Sequence, residues 1–209
     1  MYKQILTFLG IFLLGACATM SPQTARESVP LTKPVSFFVE DKAQVAFKVT
    51  GQMDEMKTDG VLTIRKTEED AYAVTLLMGG LYRVLDAAVS PQEITYYYLF
   101  KDVDNGLVRG RITQLLDLLL TPPQHYTGTV MKDGFKQVRY KGPRAKEIFF
   151  YEEGQAYPVS ARTVTALNSA ELTYGDYMPV SADGETRIPH ELVYKDGKIT
   201  LELQLISLR

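Results

Sequence analysis

The stretch VAFKVTGQM, residues 45–53, sets the pattern from which the fold can be predicted. Val45, Phe47 and Val49 alternate with polar or small neighbours. Because successive side chains of a β-strand point to opposite faces, this alternation predicts a strand with one buried face. The stretch therefore favours a sheet that covers a core on one side.

The same pattern continues through the first half of the chain, with turn signals between the strands. The triplet Thr58-Asp59-Gly60 predicts a turn that leads into a strand over residues 61–65. Further strands are predicted around Tyr72, Val74 and Leu76, and over residues 81–88 and 94–100. We expect these strands to form an antiparallel meander.

One segment has helical rather than alternating spacing. From Val108 onward, apolar residues recur three or four positions apart, at Ile112, Leu115, Leu116 and Leu119, with Arg109, Arg111 and Asp117 elsewhere on the helical wheel. Pro122 and Pro123 end the segment, because proline has no N–H for the helical hydrogen bonds. The spacing predicts one short, leucine-rich amphipathic helix.

Strand signals return in the second half of the chain. The Asp-Gly pairs at residues 133–134 and 196–197 predict two hairpins, because this dipeptide suits a tight turn. Other strands are predicted over residues 147–151, 161–168, 171–177 and 199–205. We predict ten or eleven strands in all.

These elements indicate the fold class. A long antiparallel sheet curls or closes, because exposed edges invite pairing with other chains. We therefore expect a mainly β protein with one or few helices, built on an antiparallel sheet that curls or closes. The leucine-rich helix would serve as a plug or lid over the concave face.

Composition excludes several functional classes. The 209 residues carry 23 Lys and Arg against 25 Asp and Glu, a formal charge of −2, which argues against a nucleic-acid partner. A single cysteine, Cys17, allows no disulfide within the chain. The 13 tyrosines and 9 phenylalanines favour strands over helices.

The N-terminus has the layout of a secretory signal. Lys3 precedes an apolar run over residues 5–14, and the small pair Gly15-Ala16 follows. The run is too short to cross a bilayer, which takes about 20 residues. We predict that residues 1–16 are a signal peptide.

The sequence Leu14-Gly15-Ala16-Cys17 resembles the lipobox of bacterial lipoprotein precursors. The resemblance implies cleavage before Cys17 and a diacylglyceryl group on its sulfur, with fatty acids such as palmitate. By the enterobacterial sorting rule, Ala18 implies an anchor on the periplasmic side of the outer membrane. The alternative is an ordinary secretory signal followed by an unrelated cysteine. Residues 17–35, which contain three prolines, are predicted to be the lipidated N-terminus and an extended tether.

The remainder of the chain, residues 36–209, resembles the LolA/LolB-like superfamily. The similarity lies in the lipobox, the strand VAFKVTGQM, the strand TDGVLTI, the segment LLMGGLYRVLDAAV, the leucine-rich helix and the closing hairpins. These proteins are periplasmic carriers and outer-membrane acceptors of lipoproteins. Their fold is an incomplete β-barrel closed by helices over a hydrophobic cavity, and the resemblance implies one such domain here.

The resemblance and the apolar pattern together suggest a ligand cavity. Its expected lining is Phe47, Val49, Leu62, Ile64, Val74, Leu76, Ile112, Leu115, Leu116 and Leu119. The expected ligands are acyl chains of lipids or lipoproteins. Periodicity cannot distinguish a lined cavity from a filled core. With a filled core, the protein would be a structural or interaction lipoprotein, such as an accessory subunit of an envelope assembly or export machine.

Signals for catalysis are sparse. His125 and His190 follow prolines or lie close behind them, at loop or strand-edge positions, without the spacing of metal ligands. No nucleophile elbow, P-loop or dinucleotide fingerprint is present. We expect no catalytic residues, no metal site and no cofactor. An envelope hydrolase would require a polar pocket that brings His125 or His190 to a carboxylate.

Overall fold

The structure is a computed structural model that describes residues 37–38, 43–53, 56–68, 70–142, 144–166, 168–181, 184 and 186–209. The predicted signal peptide, Cys17 and the predicted tether lie outside the described residues. The domain boundaries at residues 16, 17, 35 and 36 therefore remain predictions.

Five strands precede the helix. They are β1 (Gln44–Met53), β2 (Met56–Glu68), β3 (Ala71–Met78), β4 (Tyr82–Val89) and β5 (Ile94–Leu99). Each pairs with the next in antiparallel register, which confirms the predicted meander.

In the sequence, the helix α1 (Gly106–Leu120) follows the first five strands and precedes the remaining ones. The Asn105 side chain accepts a hydrogen bond of 3.0 Å from the Val108 N–H, which satisfies one of the free donors of the first turn. At the other end, the Thr121 N–H still donates to the Asp117 carbonyl before Pro122 and Pro123 stop the helix. The predicted helix is confirmed and begins two residues earlier than its apolar pattern.

Seven strands follow the helix. They are β6 (His125–Lys132), β7 (Phe135–Lys141), β8 (Lys146–Tyr151), β9 (Ser160–Val164), β10 (Ser169–Pro179), β11 (Arg187–Asp196) and β12 (Ile199–Leu208). Both predicted hairpins, β6–β7 and β11–β12, are present. At the first, Asp133 and Gly134 take positive φ angles of 55° and 80°, as a tight hairpin turn requires. The described residues contain twelve strands, one more than the upper prediction.

The strands form one antiparallel sheet in the order β5-β4-β3-β2-β1-β12-β11-β10-β9-β8-β7-β6. The first and last strands pair at its centre, and β5 and β6 are its two edges. The sheet is not closed, and α1 connects one edge strand to the other. The predicted incomplete barrel with a helix is confirmed. Within the described residues, no helix has the length and apolar character that a membrane crossing requires.

Register places the core on one face of this sheet. Phe47 of β1 lies opposite Leu62 of β2 and Leu205 of β12, and Ile64 lies opposite Val74 of β3. All five side chains are buried. Burying an apolar side chain of this size contributes about 1.5–3 kcal/mol, so these cross-strand rows provide much of the stability.

The predicted turn at residues 58–60 is wrong. Thr58, Asp59 and Gly60 lie within β2 and pair with Gly51, Thr50 and Val49 of β1. The Thr50 hydroxyl donates a 3.0 Å hydrogen bond to the Asp59 carboxylate across the two strands. Gly60 is there because a Cβ would lie 2.5 Å from the Leu77 carbonyl oxygen and the Met78 sulfur of the next strand. A close strand approach, rather than a turn, explains the glycine.

The strand predicted over residues 161–168 is shorter than expected. β9 ends at Val164, and the Thr165 N–H donates to the Asn168 carbonyl in the turn that leads into β10. The Thr165 hydroxyl and the Asn168 backbone reinforce this turn. Side-chain hydrogen bonds of this kind compete with strand pairing and end the strand.

Candidate ligand cavity and the contacts of the helix

The residues predicted to line a cavity all belong to one apolar cluster. Eight of them are buried: Phe47, Val49, Leu62, Ile64, Val74, Leu115, Leu116 and Leu119. Leu76 and Ile112 are half-buried and pack against the cluster. The structure therefore brings the strand set and the helix set together, although their side chains pack closely as a core through much of the concave face.

A cavity of about 310 Å³ lies at the C-terminal end of α1; we call it the end cavity. One wall is formed by the last helical turn and the residues after it, from Leu118 to Pro123. The opposite walls come from Phe37, Phe38 and Tyr72 on one side and from Phe149 and Tyr174 on the other. Leu119 is the residue of the predicted set that lines it. Its volume is at the lower end of the roughly 300–1,000 Å³ typical of small-molecule sites.

Two phenylalanines before β1 complete the end cavity. Phe37 packs edge-on against Phe47 with ring centroids 5.3 Å apart, and Phe38 stacks on Tyr72 at 4.9 Å. Sequence reasoning missed both, because they precede the first alternating strand. The adjacent aromatic pair in an otherwise polar, proline-rich region was the signal available.

Tyr174 is a buried aromatic residue in the wall of the end cavity. Its side chain is buried, and its hydroxyl has no hydrogen-bond partner among the described residues. Burial raises the pKa of this phenol well above its usual value, with smaller contributions from Tyr177, Tyr151 and Glu147. The phenol is therefore neutral, and its oxygen is buried without a partner among the described residues.

Charged residues also reach this cavity. Lys66, from the end of β2, and Asp70, from the turn before β3, contribute to its lining. The accessible lining is thus about equally polar and apolar, which suits a ligand that has an apolar chain and a polar head.

A buried ion pair holds the last turn of α1. The Arg144 Nε donates to both carboxylate oxygens of Asp117, at 2.9 and 3.0 Å, and its terminal nitrogen also contacts this carboxylate. The Thr121 hydroxyl donates a further 3.1 Å bond to Asp117. Sequence reasoning placed Asp117 away from the apolar face of the helix, yet its side chain is only 3% exposed. Arg144, which lies between β7 and β8, supplies the missing counter-ion.

Further polar contacts fix the first half of α1 to both halves of the sheet. The Tyr96 hydroxyl of β5 donates to the Arg109 carbonyl at 3.2 Å, and the Tyr194 hydroxyl of β11 donates to the Arg111 carbonyl at 3.2 Å. Arg111 also pairs with the buried Asp196 at 3.2 Å. The helix is thus positioned by specific contacts as well as by its leucines.

A second cavity, the helix groove, lies beside the first half of α1. It measures about 540 Å³ and is bounded by Gly106, Gly110, Arg111, Arg144 and Asn168. A Cβ on Gly110 would meet no atom within 4 Å, so the absence of a side chain there keeps the groove open. The groove lies outside the residue set predicted from the sequence.

Glu147 is the most strongly perturbed carboxyl group of the described residues. Its pKa is raised to about 7, mainly by burial and also by the nearby Asp117 carboxylate, while Arg144 opposes the rise. The carboxyl lies against Gly142, where a Cβ would collide with it. Sequence reasoning did not single out Glu147. The signal was its inward position in the alternating strand KEIFFY.

The two histidines are placed differently. His125 is exposed at the start of β6. His190, in β11, lies with Asp176 and Glu191, and their ligand atoms are all within 4.8 Å of one another. Sequence reasoning treated both histidines alike and missed this cluster, because Asp176 belongs to another strand.

The comparisons with known proteins address the fold. No protein-family model and no curated protein matches the sequence. A LolA superfamily protein from Nitrosomonas europaea is 10% identical, with 82% of this chain and 87% of that chain covered and a TM-score of 0.60. A domain described as an outer membrane lipoprotein-sorting protein, from Vibrio parahaemolyticus, is 9% identical over 80% and 85%, with a TM-score of 0.49. On the structural match to the first protein, together with the open sheet and its connecting helix, the chain has a LolA-like fold.

Proposed function

We propose that this protein is a membrane-anchored lipoprotein, facing the periplasm, that binds an acyl chain of a lipid or lipoprotein during envelope transport. The observation that carries the proposal is the end cavity under α1, within a LolA-like fold. Aromatic and leucine side chains provide most of its walls. A carrier function needs no catalytic residue, and we propose none.

The driving force for binding is burial of the ligand. Each CH₂ group removed from water contributes about 0.8 kcal/mol. The small volume suits one slender chain better than a bulky lipid.

Anchoring rests on the predicted lipidation of Cys17. One acyl chain gives marginal membrane residence, whereas two or more make it stable, so a diacylglyceryl cysteine would keep the protein on the outer membrane. Replacement Cys17→Ser is expected to release the protein into the soluble fraction and to abolish labelling by palmitate. Continued labelling of the serine variant would contradict the anchor.

The ligand is tested by extraction and by thermal stability. Protein purified from a bacterial host is extracted with solvent and analysed by mass spectrometry, and its melting temperature is measured with fatty-acyl ligands. We expect bound acyl lipid and an increased melting temperature, because a ligand of the folded state stabilises it.

Two variants distinguish the end cavity from the helix groove. Leu118→Trp places a larger side chain in the end cavity, and Gly110→Leu places a side chain in the groove at a position where a Cβ would meet no atom within 4 Å. We expect acyl binding to weaken at least about tenfold in Leu118→Trp, a loss of about 1.4 kcal/mol, and to persist in Gly110→Leu. Absence of lipid from both extraction and thermal tests would refute the proposal, and loss in Gly110→Leu alone would move the site to the groove.

One observation favours a second function, that of an interaction lipoprotein. Leu81 and Tyr82 are 85% and 72% exposed at the tip of the β3–β4 hairpin, after Gly79 and Gly80 with positive φ angles. Adjacent in the chain, they extend the exposed apolar surface of this tip, and contiguous exposed apolar surface marks contact sites. Here, cross-linking in cells from a photoreactive group at residue 81 should capture an envelope protein. A group at the exposed Tyr97, on another strand, serves as the control.

A further inference from the structure

We propose that Asp176, His190 and Glu191 form a binding site for a divalent transition-metal ion such as Zn²⁺. This site is separate from the end cavity and does not depend on the proposed carrier function. It combines an imidazole nitrogen and two carboxylate oxygens, all within 4.8 Å of one another.

Strand pairing brings the three residues together. Gly175 of β10 pairs with Glu191 of β11, and Tyr177 pairs with Pro189. Asp176 and His190 are the residues between these two pairs, so they face each other across the strands. Neighbouring residues of a strand usually point to opposite faces, yet the ligand atoms of His190, Glu191 and Asp176 all lie within 4.8 Å of one another.

The backbone at Asp176 is unusual. Its φ angle of 56° lies in the left-handed region, which few residues other than glycine adopt, and aspartate and asparagine tolerate it best. The conformation interrupts the regular pairing at this position. It also guides the choice of a test variant, because asparagine preserves the conformation and removes the carboxylate.

The donor set fits a transition metal. In proteins Zn²⁺ binds histidine nitrogen at about 2.0–2.1 Å and carboxylate oxygen at about 2.0–2.2 Å, commonly with three protein ligands and one open position. Small side-chain rotations would draw the present donors to such distances. The imidazole favours Zn²⁺, Ni²⁺ or Cu²⁺ over Ca²⁺ and Mg²⁺, which prefer oxygen ligands alone.

The three side chains have lone pairs available for a cation. Among the described residues, none of them makes a side-chain hydrogen bond or an ion pair. Asp176 and Glu191 are exposed and His190 is half-buried, so an ion can reach the site from solvent. A bound cation would offset the repulsion between the two carboxylates and would join β10 to β11.

The site is tested on the full chain without an affinity tag, because a histidine tag would itself bind metal. Zn²⁺ binding is measured by calorimetry, and the visible absorption of Co²⁺ reports the ligand set. We expect one saturable site per chain, an increased melting temperature with Zn²⁺, and no such increase with Mg²⁺.

The variants His190→Gln and Asp176→Asn should each weaken Zn²⁺ binding at least about tenfold and alter the Co²⁺ spectrum. His125→Gln is the matched control, because His125 is the other histidine of the chain and is exposed. Every variant retains Cys17, so any binding by its thiol cancels in the comparison. The proposal is overturned if the unmodified chain shows no saturable binding, or if His125→Gln weakens binding as much as His190→Gln does.

Discussion

At the scale of single residues, the buried charges beneath α1 are the least expected feature of the molecule. Asp117 and Glu147 are both buried; Arg144 pairs with Asp117, and the pKa of Glu147 is raised to about 7. A buried ion pair adds little net stability, because desolvation cancels much of the attraction, but losing one partner is costly. These residues therefore fix where the helix sits more than they strengthen the fold.

Glu147 is predicted to make stability depend on pH. The folded protein holds this proton up to about pH 7, whereas the unfolded chain releases it near pH 4.5. The free energy of unfolding should therefore fall as pH rises between these values, by up to about 3 kcal/mol in total. Glu147→Gln should remove this dependence in urea unfolding followed across that range. The exposed Glu152→Gln should keep it, and an unchanged slope in Glu147→Gln would contradict the assignment.

The two aspartate–arginine pairs of the helix region should contribute differently to the free energy of unfolding, because one is buried and the other is exposed. Asp117→Asn leaves Arg144 without its counter-ion and should reduce the free energy of unfolding by about 3 kcal/mol. The matched control is Asp104→Asn, which breaks the exposed pair with Arg109 and should have a far smaller effect because solvent screens it. Chemical denaturation measures both. Equal losses would show that burial does not distinguish the pairs.

At the scale of elements, two glycines have opposite roles. Gly60 lies in β2, where a Cβ would collide with the Leu77 carbonyl and the Met78 sulfur, while Gly110 lies in α1 facing open space. Sequence reasoning interpreted the first as a turn residue. The difference depends on the neighbouring strand, which a local pattern does not contain.

Alanine substitutions should therefore act in opposite directions. Gly60→Ala should destabilise the protein by about 1–3 kcal/mol, because β3 must shift to admit the methyl group. Gly110→Ala should stabilise it by up to about 1 kcal/mol, because glycine is a poor helix former. Thermal unfolding monitored by circular dichroism gives both values. Stabilisation by Gly60→Ala would mean that the close strand approach is absent.

At the scale of the whole molecule, the sheet joins its first strand to its last. Pairing of β1 with β12 places both edges on the far side, at β5 and β6, and α1 bridges them in the sequence. The concave core is therefore shared by both halves of the chain. The segment before β1 also contributes, because Phe37 packs on Phe47 at the wall of the end cavity.

The contribution of this segment is predicted to be large. Phe37 is only 1% exposed, so Phe37→Ala should reduce the free energy of unfolding by about 3 kcal/mol and enlarge the end cavity. Tyr97→Ala, at a side chain that is 71% exposed, should change it by no more than about 0.5 kcal/mol. Urea denaturation of Phe37→Ala and Tyr97→Ala measures both changes in the free energy of unfolding. A loss in Phe37→Ala no larger than that in Tyr97→Ala would place Phe37 outside the core.

The sequence by itself determined the local elements and the class of fold. Local patterns depend only on residues that are close in the sequence, so they can be recognised without knowing the tertiary contacts. Examples are the alternation at Val45, Phe47 and Val49 and the helical spacing at Leu115 and Leu116. The number and type of these elements then predict a sheet that curls or closes, and the resemblance to LolA/LolB-like proteins implied the open form. The ten residues predicted to line a cavity were likewise gathered into one cluster, because inward-facing apolar residues must meet.

Only the tertiary structure decided which of those residues fill the core and where space remains. Packing left the end cavity at Leu119, Phe37 and Tyr174, far apart in sequence, and paired Asp117 with Arg144. It also set Asp176 opposite His190. These arrangements depend on strand register and side-chain volume across the whole sheet. A periodic pattern predicts which face of an element a residue occupies, but it does not predict which residues from other elements contact it there.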